Sequence, residues 1–283
     1  MKKIKSLVAL LLAFSFLAPS GLLLACNPSS GGGLPPSEEI VNPLPDTGDT
    51  GDTDDNTNGD TDVEETPPAP VVQYAQYARC IGENVNIRSG AGTEFATLGV
   101  AEKGETYAIV GKVGNWYKTY YRNKTAYISA SYATVFSLEK RTDEKTERVI
   151  SEGYKLIGVP YVYGAVRLHD GKGKFLSGFS VQKFDCSSLV QYIFYHGAGA
   201  LLQVTTRTQV SQGKYVKKSE LQRGDCIYFT NEQRQYLSGV ERVGHVAVYL
   251  GNDYILHTAS DYARIEKMTA TRWKFYIEAR RFV

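Results

Sequence analysis

Four cysteines in 283 residues are too few for a disulfide scaffold, and there are only four histidines. Two tryptophans and two methionines leave core building to aliphatics and to an unusual number of tyrosines, twenty in all. Long apolar runs are scarce as well. Only residues 7–17 make one, which excludes a polytopic membrane protein. Between residues 27 and 70 there are eleven Asp or Glu and no Lys or Arg. The formal total is only +2, so the part of the chain able to fold is clearly basic.

Lys2, Lys3 and Lys5 precede the apolar run, and Pro19 and Gly21 end it, the layout of a secretory signal. Leu23-Leu24-Ala25-Cys26 resembles a bacterial lipobox. That resemblance implies cleavage after residue 25 and a lipid anchor at Cys26, holding the protein to a membrane outside the cytoplasm. Residues 26–77 then read as a tether, because Asp, Thr, Gly and Pro dominate and no large apolar cluster forms.

Residues 78–135 alternate short apolar runs with turn residues. Candidate strands are 84–88, 97–100, 106–110, 116–121 and 125–128, a pattern that predicts a small all-β barrel. Asn86-Ile87-Arg88-Ser89-Gly90, Lys103-Gly104-Glu105 and Gly114-Asn115-Trp116-Tyr117 are similar to a bacterial SH3 domain. Trp116 and the tyrosines are as compatible with barrel core as with ligand contact, and Cys80 reads as a small buried apolar residue.

Residues 136–283 carry the chemistry. A helix is expected over 142–157, with Val149, Ile150, Gly153 or Tyr154, and Ile157 on one face. A second helix begins near Asp185-Cys186-Ser187, with Leu189, Val190, Ile193 and Phe194 as its apolar stripe. Cys186 would sit in the first turn, where free N–H groups favour a thiolate. His245 opens one strand and His257 lies in the next, with Gly251-Asn252-Asp253 as the turn between them. A three-residue loop would bring both rings to one face, one diagonal step apart, whereas a two-residue loop would separate them. On one face they supply a base and an orienting partner for Cys186. The spacing of Cys186, His245 and His257 matches no usual structural zinc site, and no cofactor is expected. His169 and His196, in a loop and at a helix end, read as solvated. Cys226 reads as core.

Gly158-Val159-Pro160-Tyr161, Phe184-Asp185-Cys186-Ser187, Arg207-Thr208, Gly244-His245-Val246 and Ile255-Leu256-His257 occur in order. Together they resemble the NlpC-type papain-like cysteine peptidases of bacterial cell walls. The resemblance implies an α+β fold with a nucleophile-bearing helix on an antiparallel sheet, Cys186 as nucleophile, His245 as base and His257 as orienter. It also implies cleavage of the bond between γ-D-glutamate and the diamino acid of peptidoglycan stem peptides, with Tyr161, Asp185 and Ser187 binding the free amine of the N-terminal L-Ala. Arg207 is equally compatible with binding a stem carboxylate and with being an exposed charge. Ser188 stands where the family has Gly, and residues 165–183 are longer than its usual loop. Two alternatives share these motifs: an N-acetylmuramoyl-L-alanine amidase, and an inactive anchored wall-binding protein. A monomer is expected, and a basic body on an exported chain points to anionic envelope polymers rather than nucleic acid.

Overall fold

A computed structural model describes residues 71–283. The signal segment, Cys26 and most of the acidic tether lie outside those residues.

The chain first runs through eight strands: β1 (Tyr74–Cys80), β2 (Val85–Arg88), β3 (Thr97–Ala101), β4 (Thr106–Ile109), β5 (Gly111–Val113), β6 (Trp116–Tyr121), β7 (Lys124–Ser129) and β8 (Ala133–Glu139). All five expected strands are present. The fold begins at Tyr74 rather than at residue 78, because Tyr77, Ala78 and Cys80 bury against the core while Gln76 and Arg79 face out. Helices α1 (Glu144–Lys155), α2 (Cys186–Ala198) and α3 (Thr206–Gln209) follow, and then β9 (Lys214–Val216), β10 (Cys226–Phe229), β11 (His245–Gly251), β12 (Tyr254–Ala259), β13 (Tyr262–Lys267), α4 (Ala270–Lys274) and β14 (Tyr276–Arg281).

These strands do not divide into one separate barrel and one separate sheet. Five of them form the sheet β3-β2-β7-β6-β5, whereas β8, β1 and β4 continue a nine-stranded antiparallel sheet, β8-β1-β4-β13-β12-β11-β10-β14-β9. The join is a single bridge between Thr106 and Ile265. Side chains reinforce it. Arg223 is 3% exposed and forks onto Glu147 of α1 at 2.7 and 3.0 Å. Its other N–H groups donate to the hydroxyls of Tyr77 on β1 and Tyr154 on α1, and to the Leu250 carbonyl. At the other end of α1, the backbone amides of Arg122 and Asn123 in the β6–β7 turn donate to Ile157 and Lys155 carbonyls. Gly158 lies under the Tyr121 ring at a φ of +83°, where any side chain would collide with that ring. The first eight strands therefore fix the exit of α1 and the segment that leads to Tyr161.

Helix α1 begins at Glu144 under an Asp143 cap, which accepts from the amides of Lys145 and Thr146. Val149, Ile150 and Tyr154 are buried as the periodicity requires. It packs on α2, and α2 in turn lies across β11 and β12. The long segment 165–183 is fastened rather than loose. Gln191 of α2 donates to the His169 carbonyl and accepts from its amide, and the His169 ring accepts from the Gly171 amide. His169 is fully buried, not solvated: Gln191 serves its backbone, the Gly171 amide serves ring Nδ1, and ring Nε2 has no partner. His196 is exposed, as expected. Cys80, Cys186 and Cys226 are buried and free.

Candidate active site

Asp185 caps α2 and Cys186 is its first residue. Ser188 accepts from the Asp185 amide through Oγ, while Asp185 accepts from the Ser188 amide, a reciprocal capping box. The hydroxyl that distinguishes Ser188 from glycine therefore fastens the first turn instead of crowding it. Cys186 lines a cleft of about 620 Å³ together with Tyr161, His245, Asn231, Thr271 and Arg272. A larger groove, of about 1010 Å³, runs between β1, β4 and α1 and is lined by no cysteine or histidine.

The two histidines meet. His245 Nε2 lies 2.9 Å from His257 Nδ1, with the rings nearly perpendicular. Their parity arises in an unexpected way. The connection is a two-residue turn, Asn252-Asp253, with both residues at positive φ as a type I′ turn requires. Alone, it would have put the rings on opposite faces. A bulge between Tyr249 and Gly251 inserts the compensating residue, so that Val248 pairs with Leu256 and Tyr249 with Ile255. Continued, this register sets His257 opposite Ala247, one diagonal step from His245.

A third side chain extends the diagonal. On β13, Arg264 pairs with His257, and Glu266 is the next residue on that face. Glu266 Oε1 lies 3.2 Å from His257 Nε2, off the line of a well-formed hydrogen bond, and 2.5 Å from Arg272. Sequence reading passed over Glu266. Its signal was the i+2 offset from the cross-strand partner of His257, visible only once the 257–264 register is known.

Burial dominates the electrostatics. It pushes the Cys186 thiol up to about 12, with the neighbouring Asp185 charge adding to it, against donation from the Val246 and Ser187 amides. The helix tip does favour a thiolate, as anticipated, but desolvation outweighs it. His245 lies well below its ordinary range because it is buried beside His257 and Arg272, and burial also lowers His257, opposed by Glu266. Glu266 is held down at about 2: burial opposes this, but His257, Arg272 and Arg264 prevail. Both directions favour a neutral thiol and a neutral imidazole at rest. Alkylation of Cys186 by iodoacetamide is accordingly predicted to be slow at neutral pH and to rise about tenfold per unit between about pH 7 and 10. A rate already high and flat near about pH 6 would mean a preformed thiolate instead.

The remaining sequence candidates separate. Tyr161 faces the cleft. Asp185 and Ser187 are buried behind it and already engaged: Arg167 Nη2 lies 2.8 Å from Asp185 Oδ2 and 3.1 Å from Ser187 Oγ, and Ser187 donates to Asp185 Oδ1. Arg167, from the long segment, also donates to the Val204 and Ala165 carbonyls. Arg207 does not line the cleft and lies 3.6 Å from Glu241. Among the described residues, no group of three His, Cys, Asp or Glu side chains converges to hold a metal ion.

Residues 158–281 match the NlpC/P60 family and residues 83–134 match the bacterial SH3 domain, so the chain carries one domain of each kind. The gamma-DL-glutamyl hydrolase of Bacillus subtilis is 29% identical over 152 residues, which is 53% of this chain and 32% of that protein. The peptidoglycan DL-endopeptidase CwlO of Bacillus licheniformis is 33% identical over 132 residues, 45% of this chain and 26% of that protein. This chain thus spans about a third or less of either relative. Among solved structures, the peptidoglycan hydrolase RipB of Mycobacterium tuberculosis aligns at 27% identity with a TM-score of 0.38, covering 49% of this chain and 65% of that one.

Proposed function

We propose that the protein is a cysteine endopeptidase of peptidoglycan stem peptides, anchored through Cys26 outside the cytoplasmic membrane and cutting the bond between γ-D-glutamate and the diamino acid. The observation that carries the reading is the line Cys186, His245 and His257, with nucleophile and base in one cleft and the two rings 2.9 Å apart. The names of relatives that hydrolyse γ-glutamyl or peptidoglycan peptide bonds support the substrate class.

In this mechanism His245 Nδ1 takes the Cys186 proton as the sulfur attacks the γ-carbonyl carbon, and the N-terminal turn of α2 faces the developing oxyanion. The tetrahedral intermediate collapses by breaking the C–N bond. The leaving amine takes the proton from His245, and a thioester remains on Cys186. His245 then removes a proton from water as the oxygen attacks the thioester. Breaking the C–S bond returns a thiolate, which recovers the proton.

Tyr161 lines the cleft beside Cys186. Asp185 could take a substrate ammonium only by giving up Arg167, so this pair is not a vacant amine site. Defined muropeptides analysed by mass spectrometry test the reading. L-Ala-D-Glu is expected from the free tripeptide, and an N-acetylated tripeptide should be cut within about tenfold of that rate, whereas a dedicated buried ammonium site discriminates by about 10⁴-fold. Release of intact stems from glycan, with free peptides untouched, would instead identify an amidase.

A further inference from the structure

We propose that Glu266 is a positioning residue of this reaction: through His257 it sets which nitrogen of each imidazole carries the proton, leaving His245 Nδ1 bare toward Cys186. The inference rests on the peptidase reading for its consequence in rate, but its structural content stands on the resting protein.

Three adjacent strands present the groups in one diagonal: His245 on β11, His257 on β12 and Glu266 on β13. A neutral imidazole has one N–H and one lone pair, so the 2.9 Å contact admits two arrangements. Either His245 donates from Nε2 or His257 donates from Nδ1. The second would leave the buried His257 Nε2 lone pair 3.2 Å from the oxygen of a partly exposed carboxylate, acceptor against acceptor. The first gives that carboxylate a proton to face. His257 Nε2–H then faces the Glu266 charge at 3.2 Å, off a straight hydrogen-bond line, His257 Nδ1 accepts from His245 Nε2–H, and the remaining lone pair of His245 is at Nδ1. The charged and titratable groups facing His257 are His245 on β11, Glu266 and Arg264 on β13 and Arg272 on α4. Of these, only Glu266 is an anion. Arg264 is turned to Asp261 at 2.9 Å, and Arg272 holds Glu266 itself at 2.5 Å.

The same line works during turnover. When His245 takes the thiol proton at Nδ1 it becomes a cation, and its Nε2–H is already committed to His257. The Glu266 charge stabilises that cation through His257 without receiving a proton. Burial disfavours charge on both rings, and Glu266 is the group that raises His257 against it. Nothing is consumed by the chain: one proton moves from sulfur to nitrogen and onward to the leaving amine.

Histidine ¹⁵N shifts of the full chain, labelled at histidine, read the tautomers directly. The wild type is expected to carry its protons on Nε2 of both His245 and His257. Gln in place of Glu266 brings an amide that can donate to His257 Nε2, so Glu266→Gln should reverse both rings and place a proton on His245 Nδ1. Its kcat for the free tripeptide should fall by about 10- to 100-fold with KM unchanged, and Glu266→Asp should keep the wild-type tautomers and most of the rate. A proton on Nδ1 of either ring in the wild type would overturn the proposal, and that measurement needs no variant to fold. So would a Glu266→Gln protein with unchanged tautomers and a kcat within about twofold of wild type. A wild type with the expected tautomers that cleaves no stem peptide would refute the peptidase reading and leave the assignment of Glu266 to His257 standing.

Discussion

Cys186→Ala is expected to lower the rate of stem-peptide cleavage by at least about 10⁴-fold, with His245→Ala close behind. Both follow from the neutral resting pair. With the thiol pushed up to about 12, there is almost no standing thiolate to react unaided, so nucleophile and base act as one unit. The double variant should therefore be no slower than Cys186→Ala alone. His257→Ala keeps a base beside the sulfur and should lose less, because only orientation and the link to Glu266 disappear. Initial rates on the free tripeptide, with the fold of each variant checked by circular dichroism, measure this series. Multiplicative losses in the double variant would mean that Cys186 and His245 act separately, against the account.

The second large effect is on stability. Arg223→Met is predicted to destabilise the protein by about 3–5 kcal/mol, which for a body of this size lowers Tm on the order of 10 °C. The cost has little to do with lost packing, since Met fills much of the volume. It comes from leaving Glu147 and the Tyr77 and Tyr154 hydroxyls, which Arg223 serves together, without their shared donor. Arg223→Lys should recover only part, because a single ammonium does not reproduce a guanidinium fork. Tyr77 lies on β1 and Glu147 on α1, so this cluster joins the first group of strands to the helical and sheet region that follows. Calorimetry should show both melting in one transition in the wild type. Two separate transitions, or a Tm for Arg223→Met within about 2 °C of wild type, would show that the cluster does not couple them.

What the sequence made legible was local. The Asp185 cap and the stripe Leu189, Val190, Ile193, Phe194 place Cys186 at a helix start because capping and periodicity are set by neighbours in the chain. The same holds for the apolar face of α1 and for Cys226 in a fully buried strand. The histidine pair was legible only in part. The turn length was misjudged, and the parity survives because of a bulge at Leu250 that no turn residue announces. Strands β1 and β8 escaped notice for a different reason. Alternation in Tyr-Ala-Gln-Tyr-Ala-Arg-Cys is blurred by alanine, and β8 is an edge strand exposed along most of its length. Their partners are each other and β4, so their identity is a tertiary fact. His169 was misread because its segment is fastened by a distant residue, Gln191 of α2, which holds the His169 backbone amide and carbonyl. Arg167 and Glu266 acquire meaning only from what folds against them: the cap carboxylate in one case and, in the other, an imidazole on the strand beside the base.

The central claim is that Cys186 forms a thioester with the γ-glutamyl carbonyl. Turnover in the presence of hydroxylamine tests it most directly, since a stronger nucleophile than water diverts an acyl-enzyme. The account predicts L-Ala-γ-D-glutamyl hydroxamate from the wild type and no hydroxamate from Cys186→Ala. Cleavage that yields only the free acid at every hydroxylamine concentration, or a hydroxamate formed at the muramoyl lactyl group instead, would contradict it.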